Sequence, residues 1–335
     1  VIVEKKRRAL ALFSGGLDSA LAIKVIKDQG IDVIALNFVS HFFGGKNEKA
    51  EKMAEQLGIK VEYVHFEKRH TEVVKNPVYG RGKNMNPCID CHSLMFKVAG
   101  ELLEKYDADF VISGEVLGQR PMSQNSAALE KVKKLSGMDE LIVRPLSAKL
   151  LPPSKPELEG WIDREKLLDI QGRSRHIQME LMEKYGLVEY PSPGGGCLLT
   201  DPAFSDRLSI LEKDGYLEEK YSFLFHLIKK SRFYRLEKGK YLFVGRDQEG
   251  NERIASYKEL GSFYLCGHMV PGPHMLGFGE FNEEDMNLVK ELFSRYSKCK
   301  GKEEIEVRIN GQISKVPVVD VEKVEEFMKK YQIVG

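Results

Sequence analysis

The sequence predicts an α/β protein, in which a doubly wound parallel sheet is followed by a smaller α+β domain. The first observation is alternation, because short apolar runs typical of buried strands take turns with stretches of helical spacing up to residue 143. The second is a Ser/Gly-rich turn, Ser14 to Ser19, between the first strand and the first helix. The third is a change after about residue 230, where strand patterns joined by turns replace the alternation.

The elements of the first part follow from these patterns in chain order. Strands are predicted at 9–13, 33–39, 60–66, 110–113 and 141–143. Helices are predicted at 20–26, from a cap at Asn47 to about Leu57, and at 93–106, 163–170 and 174–185. Residues 67–87 have the composition of a long polar loop, and the prolines between 145 and 160 predict a linker or an ordered loop.

The second part has a different pattern. Helical stretches run from Asp201 to about Lys230, and antiparallel strands are predicted at 233–244 and 263–265. A helix at 283–296, strands at 305–309 and 313–319, and a final helix to Tyr331 complete it. We therefore expect two domains, residues 1–215 and residues 216–335.

Composition sets limits on the class of protein. A chain of 335 residues is long enough for two domains. The 51 Lys and Arg residues against 50 Asp and Glu residues leave a net charge of +1, so any nucleic-acid surface must be local. The sequence has no apolar run of membrane-spanning length, and its N-terminus does not resemble a secretory signal, so we expect a cytoplasmic protein without a membrane partner. Its oligomeric state is not indicated.

The turn Ser14-Gly15-Gly16-Leu17-Asp18-Ser19 has the composition of a phosphate-binding loop. Its two glycines let backbone N–H groups approach an oxyanion, and the helix N-terminus and the Ser14 and Ser19 hydroxyls add favourable interactions. The Asp18 carboxylate would repel a phosphate unless Mg²⁺ lay between them. The alternative is an ordinary glycine-rich turn with capping side chains.

Other candidate nucleotide-binding residues lie at the ends of neighbouring predicted strands, where a doubly wound sheet binds its ligand. Asn37 and Phe38 close the second strand, and Gly114 follows the fourth. Glu115 and Gln119 are candidates for contacts with adenine or ribose. The alternative is that they are simply an acidic residue at a helix start and its neighbour.

Five cysteines, an odd number in a chain without an export signal, argue against a disulfide framework. Cys88 and Cys91 form a Cys-x-x-Cys motif, and Cys197 follows the Pro-Gly-Gly-Gly run at 193–196. All three are predicted in loops, and only tertiary structure can bring them together. Three interpretations stay open: a structural zinc with a further ligand such as His92, a persulfide–disulfide pair, and a [4Fe–4S] cluster with three thiolate ligands and one open iron.

The Ser14–Ser19 string resembles the signature of the PP-loop ATP pyrophosphatase family and not the Walker pattern. Asn86 to Phe96 is similar to the cysteine loop of tRNA 2-thiouridine synthetases. Ser113 to Gln119, with Arg144-Pro145-Leu146, resembles tRNA 4-thiouridine synthetases. The similarity runs from about residue 8 to residue 208. From the sequence as given we expect neither the N-terminal RNA-binding extension nor the rhodanese sulfur carrier known from that group.

The resemblance implies an ATP-dependent tRNA sulfurtransferase. Ser14, Gly15, Gly16 and Ser19 would hold the ATP phosphates, and Asp18 would help to place Mg²⁺. A uracil carbonyl oxygen would attack the α-phosphate, and sulfur would then displace AMP from the activated carbon.

The resemblance also bears on the sulfur source. Without a rhodanese cysteine, sulfide delivered through a cluster on Cys88, Cys91 and Cys197 is favoured, although a sulfur-donor protein stays possible. Two other functions are open: a PP-loop ligase that amidates an adenylated carbonyl with ammonia, and a non-catalytic RNA-binding or metal-sensing protein.

The segment from about residue 232 resembles the small RNA-binding module at the end of NFACT proteins. Basic and glycine residues recur at 238–240, 244–246 and 272–274. The aromatic residues nearby offer either stacking surfaces for bases or, as we expect for most of them, the core of a small sheet; they are Phe233, Tyr234, Tyr241 and Phe243.

Overall fold

A computed structural model of the chain describes residues 6–187, 196–299, 301–318 and 321–334. It divides into two units, Val1–Thr200 and Asp201–Gly335. The domain limit predicted after residue 215 stays a prediction, and the Pro-Gly-Gly-Gly run that precedes Cys197 lies, except for Gly196, outside the described residues.

Within the described residues, the first unit contains a five-stranded sheet in the order β3-β2-β1-β4-β5. Its strands are β1 (Arg8–Leu12), β2 (Asp32–Val39), β3 (Lys60–His65), β4 (Phe110–Ile112) and β5 (Ile142–Val143). All neighbouring strands are parallel. The chain moves outward from β1 to β3, then returns to the other side of β1 for β4. The sheet therefore has a switch point between β1 and β4, and the predicted doubly wound α/β class is confirmed.

Helices cover both faces of this sheet, because successive residues of a strand point to opposite faces and both are apolar here. In β1, Ala9 and Ala11 pack into one core cluster and Leu10 packs into the other. The helices are α1 (Leu17–Lys27), α2 (Glu48–Leu57), α3 (Glu67–Lys75), α4 (Cys88–Glu101), α5 (Ser126–Ser136), α6 (Lys155–Leu158) and α7 (His176–Lys184).

The sequence reading of two segments in this unit was wrong. Residues 67–75, expected in a polar loop, form α3, which buries His70, Thr71 and Val74. Its buried face is short and half polar, so the composition concealed the helical period. Residues 163–170, expected to be helical, contain a single 3₁₀ turn, Arg164–Lys166. Their backbone instead bonds to a distant segment, with Leu168 and Ile170 N–H groups donating to the carbonyls of Pro145 and Leu146.

The second unit contains, among its described residues, a seven-stranded sheet in the order β11-β10-β8-β9-β7-β6-β12. Its neighbouring strands are antiparallel. The strands are β6 (Ser231–Glu237), β7 (Lys240–Gly245), β8 (Phe263–His268), β9 (Met275–Phe278), β10 (Glu304–Ile309), β11 (Gln312–Pro317) and β12 (Gln332–Ile333). The helices are α8 (Pro202–Asp214), α9 (Ser222–Lys230), α10 (Gln248–Ser256), α11 (Glu283–Tyr296) and α12 (Val321–Tyr331).

The core of the second unit is aromatic. Phe233, Tyr234, Tyr241 and Phe243 are fully buried, which confirms that they form the core of the sheet. Helix α10 and strand β9 were missed, because α10 buries only Gly250 and Ile254 and gives almost no apolar period. In the part of the chain that the structure describes, no helix is long and apolar enough to cross a membrane.

Candidate functional site

The loop after β1 places an open helix N-terminus at the switch point of the sheet. Gly16 is the N-cap of α1, and no side chain caps the helix there. Gly15 has a φ of +78°, and a Cβ at this position would lie 2.6 Å from Ala50 Cα, so both conformation and space require glycine. The Ser19 hydroxyl donates to the Gly16 carbonyl at 2.9 Å, and Ser14 Oγ accepts from the Gly16 N–H at 3.3 Å. The loop therefore presents backbone donors and two hydroxyls.

Two neighbouring strand ends complete this edge of the sheet. Gly114 packs so closely on the first turn of α1 that a Cβ would lie 2.5 Å from the backbone nitrogen of Ser19. Asn37 is buried and donates through Nδ2 to the Phe13 carbonyl at 3.1 Å. Its Oδ1 has no hydrogen-bond partner among the described residues. Phe38 is buried too, with its ring 5.1 Å from that of Phe66.

A polar network surrounds Asp18. Gln119 donates through Nε2 to Asp18 Oδ2 at 2.7 Å, and Arg175 Nε lies 3.6 Å from the same oxygen. Gln178, fully buried on α7, donates to Gln119 Oε1 at 2.8 Å. Among the described residues, Arg175 Nε has no hydrogen-bond partner. Arg175 and Gln178 were not predicted as site residues from the sequence. The one signal for them was a glutamine at a buried position of the helical pattern of α7.

Glu115 links the end of β4 to the cysteine helix. Its Oε1 lies 2.7 Å from His92 Nδ1, and its Oε2 accepts from Arg144 Nε at 2.7 Å. Burial by itself raises the pKa of this carboxyl, but the Arg144 charge and the His92 hydrogen bond outweigh it and bring the pKa to about 2. Glu115 is therefore ionised, with both oxygens engaged by protein groups. The nucleotide contacts expected of Glu115 and Gln119 stay predictions.

Cys88 and Cys91 lie in the first turn of α4, and the expectation of a loop was wrong for both. The helix begins after Pro87, whose carbonyl accepts from the Cys91 N–H at 2.8 Å. A proline just before a helix is compatible with its start, because it lacks only an N–H that the helix does not use. Cys91 is buried and Cys88 half-buried. Asn86 Nδ2 lies 3.2 Å from Cys88 Sγ and donates to it.

Cys197 joins this pair through a turn tied to two other loops. The 3₁₀ turn Leu198–Thr200 follows it. The Leu198 N–H donates to the Phe42 carbonyl at 2.9 Å, and Asn84 Nδ2 donates to the Thr200 carbonyl at 2.7 Å. These bonds fix the turn beside the segment that precedes α4.

The three thiols lie within electrostatic range of one another. Burial, followed by the charges of Cys197 and Cys88, raises the pKa of the Cys91 thiol. Burial also raises the pKa of Cys197 to about 11, and the charge of nearby Cys88 acts in the same direction, whereas hydrogen bonds from the backbone N–H groups of Leu199 and Thr200 oppose the shift. Tertiary structure thus brings together three residues from distant parts of the sequence.

Across residues 6–187, 196–299, 301–318 and 321–334, no group of three or more His, Cys, Asp or Glu side chains has an arrangement that could hold a metal ion. The zinc and cluster interpretations of the cysteines therefore stay predictions. So does the Mg²⁺ ion expected beside Asp18.

Comparison with known proteins gives two family matches. Residues 5–150 match the family described as thiamine biosynthesis protein (ThiI), and residues 231–332 match the NFACT protein RNA binding domain. A tRNA-specific 2-thiouridylase MnmA 2 of Fusobacterium nucleatum is 32% identical over 107 residues, covering 30% of this chain and 31% of that protein. A probable tRNA sulfurtransferase of Thermococcus kodakarensis is 28% identical over 170 residues, covering 49% of this chain and 39% of that protein.

A solved structure described as a 4-thiouridine synthetase–RNA complex with bound ATP has 19% sequence identity and a TM-score of 0.35. Its alignment covers 63% of this chain and 53% of that one. The aligned segments of the two sequence relatives span less than half of those proteins. The family matches confirm the resemblance drawn from the sequence, to tRNA thiouridine synthetases in the first part and to the NFACT module in the last.

Proposed function

We propose that this chain, with its resemblance to PP-loop tRNA thiouridine synthetases, is an ATP-dependent tRNA sulfurtransferase of the cytoplasm. One observation carries the proposal: the phosphate loop and the three cysteines are joined by a short series of contacts. Gly114 packs on the first turn of α1, Glu115 follows it, and Glu115 bonds to His92, the neighbour of Cys91. These contacts support a function in which an activated nucleotide and a sulfur centre share one edge of the sheet.

The residues around the loop fit ATP. An uncapped helix N-terminus favours negative charge, and Ser14, Gly15, Gly16 and Ser19 offer donors to phosphate oxygens. The buried Asn37 Oδ1, which lacks a hydrogen bond among the described residues, is an acceptor suited to an amino group such as that of adenine. Buried donors and acceptors without hydrogen-bond partners destabilise a fold unless a ligand satisfies them, and two such atoms lie on residues close to this loop.

Arg175 is the second of these groups. Its Nε has no hydrogen-bond partner in the described part of the chain, although the guanidinium pairs with Asp18. We place it as a donor to the leaving pyrophosphate, where its positive charge stabilises the charge that develops. Phe38, Gly114, Glu115 and Gln119 remain proposed nucleotide-binding residues.

Asp18 fits a site for Mg²⁺ that also binds phosphate. Its Oδ2 is engaged by Gln119 and Arg175, whereas its Oδ1 has only a long contact of 3.5 Å to Gln178 Nε2 in the described structure. One oxygen is therefore available as a ligand. Mg²⁺ in nucleotide sites is held in this way, by one or two carboxylates together with phosphates and water.

The chemistry of the three thiols suits a sulfur-carrying group, although the described side chains as they stand are not arranged to hold a metal ion. Buried thiols with raised pKa values stay protonated unless a cation or cluster lowers those values. The Asn86 amide and the amides of the 198–200 turn donate to sulfur atoms, as donors around iron–sulfur ligands do. We propose Cys88, Cys91 and Cys197 as ligands of a [4Fe–4S] cluster, which would supply sulfide from its open iron when bound.

The reaction that these groups support has two steps. The uridine carbonyl oxygen attacks the ATP α-phosphate, a new P–O bond forms, and pyrophosphate leaves from the α–β bond. A sulfur nucleophile then adds to the activated ring carbon, the C–O bond to AMP breaks, and thiouridine and AMP remain. The residues of the loop hold the phosphates in line and stabilise the leaving pyrophosphate. The sulfur comes from sulfide or from a donor protein.

The test is thiolation by cysteine variants. Protein purified without oxygen is given tRNA, ATP, Mg²⁺ and sulfide, and thiouridine is measured by nucleoside mass spectrometry. We expect Cys88→Ala, Cys91→Ala and Cys197→Ala each to lose at least about 100-fold in rate, while ATP binding measured by calorimetry stays unchanged. Cys266→Ala, which alters a half-buried cysteine of the second unit, is the control. Full thiolation by any one of the three variants would contradict the proposal.

A further inference from the structure

The second unit contains a cavity of about 150 Å³ at the end of β7. Its lining includes Arg232, Arg246, Asn251, Gly272 and Tyr296, and no residue that lines it is acidic. Nothing in the proposed thiolation chemistry uses these residues. A cavity lined by two arginines without a carboxylate is suited to an anion.

Arg232 is held in place as a rigid donor. Its Nη1 donates to the Gly245 carbonyl at 2.8 Å, and its guanidinium lies 4.3 Å from the centre of the Tyr296 ring. Stacking on an aromatic ring fixes the plane of the guanidinium and leaves its other N–H groups to the cavity. Little side-chain entropy then remains to be lost when an anion binds.

Arg246 adds a second positive charge from the next turn. It is exposed, and among the described residues it has no ion-pair partner. It lies close to Arg207, which is buried and whose Nε lacks a hydrogen-bond partner in the described part of the chain. Burial, followed by the charge of Arg246, lowers the pKa of Arg207, and Asp201 opposes this shift. The charge of this region is therefore not balanced locally.

Asn251 gives the cavity a neutral donor. Its Oδ1 accepts from the His274 N–H at 2.8 Å, so its amide nitrogen is the group left for a ligand. The backbone that lines the cavity is packed tightly at two glycines. A Cβ on Gly272 would lie 2.5 Å from Ser297 Oγ, and a Cβ on Gly245 would overlap Asn251. The donors are thus held by close packing of the backbone around them.

We propose that this cavity binds a single phosphate of an RNA strand, between the guanidinium groups of Arg232 and Arg246. Its volume is smaller than the roughly 300–1,000 Å³ of pockets that enclose a whole small ligand. A cavity of this size can hold one phosphate group of a polymer whose remaining part lies outside the cavity. Arginine is well suited to such a site, because its guanidinium can bind a phosphate through two hydrogen bonds. The inference rests on RNA being the partner in the proposed function, but it does not depend on thiolation.

The experiment measures RNA binding by the full chain without ATP, so that failure of thiolation does not affect it. Fluorescence anisotropy with a labelled tRNA and a labelled single-stranded RNA gives Kd across a series of salt concentrations. For Arg246→Gln we expect about tenfold weaker binding and a slope of log Kd against log salt that is lower by about one. Arg246→Lys, which retains the charge, should recover most of the affinity and the slope.

Controls separate the site from general charge. Arg308→Gln removes an exposed arginine from β10, which β8 and β9 separate from β7 in the sheet, and should leave Kd within twofold. Arg232→Gln should weaken RNA binding like Arg246→Gln. If Arg246→Gln and Arg308→Gln had equal effects, or if neither changed Kd, the proposal would be overturned. It would also be overturned if inorganic phosphate or AMP displaced RNA at micromolar concentration, because the cavity would then be a site for small anions.

Discussion

At the scale of single residues, the charge of Glu115 is important for the stability of the first unit. The carboxylate is buried, lies 2.7 Å from both His92 and Arg144, and has a pKa of about 2. The guanidinium of Arg144 is equally buried and also lies 5.7 Å from the Phe96 ring. An intact buried ion pair of this kind changes the free energy of unfolding little. Removing one partner lowers that free energy strongly, because the other charge stays buried without a counter-ion.

Glu115→Gln should therefore destabilise the first unit by about 3–5 kcal/mol, because it leaves the Arg144 charge without its counter-ion. Urea unfolding followed by fluorescence measures this, since Trp161 is the only tryptophan in the sequence and lies in that unit. Glu101→Gln, which breaks a surface pair with Arg69, is the matched control and should cost no more than about 1 kcal/mol. Equal losses from both variants would show that Glu115 has no special role.

His70 gives a pH-dependent contribution to stability. Its ring is fully buried, stacks on Phe66 at 5.2 Å, and has no hydrogen-bond partner for either nitrogen in the described structure. Burial, with a smaller effect of His41, lowers its pKa to about 3, against 6.5 for an exposed histidine. As pH falls below about 6.5, His70 therefore binds a proton in the unfolded chain but not in the folded chain.

The unfolding free energy of the first unit should fall by about 1.4 kcal/mol per pH unit below about 6.5 through His70 alone. His70→Leu removes this contribution whatever its effect on stability at neutral pH. The measurement is the difference in urea unfolding between pH 7.5 and pH 5.5, again followed by Trp161. His176→Gln, at an exposed position of α7, should keep the parent difference. An unchanged difference in His70→Leu would contradict the assignment.

At the scale of elements, the start of α1 depends on the loop that leads into it. Gly15 meets Ala50 of α2, so that the loop, α1 and α2 form one packed group. A residue with positive φ and no room for a Cβ fixes the path of the loop. The backbone donors of Gly16 and the first turn, which we propose bind the nucleotide, take their positions from it.

Gly15→Ala should weaken ATP binding by at least about tenfold, because Ala50 and the new Cβ must move apart and displace the loop. Isothermal calorimetry with ATP and Mg²⁺ measures the loss. Gly30→Ala is a close control, since Gly30 has a φ of +81° but nothing within 4 Å of an added Cβ. It carries the same backbone strain without the clash and should bind ATP as the parent does. Equal affinities for the two variants would mean that the loop tolerates the clash.

Two of the helices that the sequence missed share a cause. Helix α3 buries a histidine and a threonine beside one valine, and α10 buries a glycine and one isoleucine. Helical periodicity is recognised from the spacing of apolar side chains. A helix whose buried face is short and partly polar therefore gives only a weak periodic signal. Helix α11, with a capping box at Asn282 and a clear apolar stripe, was placed correctly from residue 283 to residue 296.

At the scale of the whole molecule, positive and negative charges nearly balance, so any charged surface is local. The net charge of +1 gives no overall attraction for RNA, so the RNA binding that we propose for the arginines of the second unit would depend on local charge. The proposed sulfur chemistry is local too, because the three thiols come near one another only where loops far apart in the chain are tied together. Backbone and side-chain bonds from Phe42, Asn84 and Thr200 do this.

The sequence by itself determined the order of most strands and helices along the chain, the position of the glycine turn at Ser14–Ser19, and the identity of the cysteines. These depend on local spacing, on which residues tolerate a conformation, and on the chemistry of single side chains. Tertiary structure alone decided that Gln119 and Gln178 meet Asp18 across 101 and 160 residues, and that Arg232 and Arg246 face one cavity. Contacts between distant residues follow from sheet order and packing, which local periodicity does not encode.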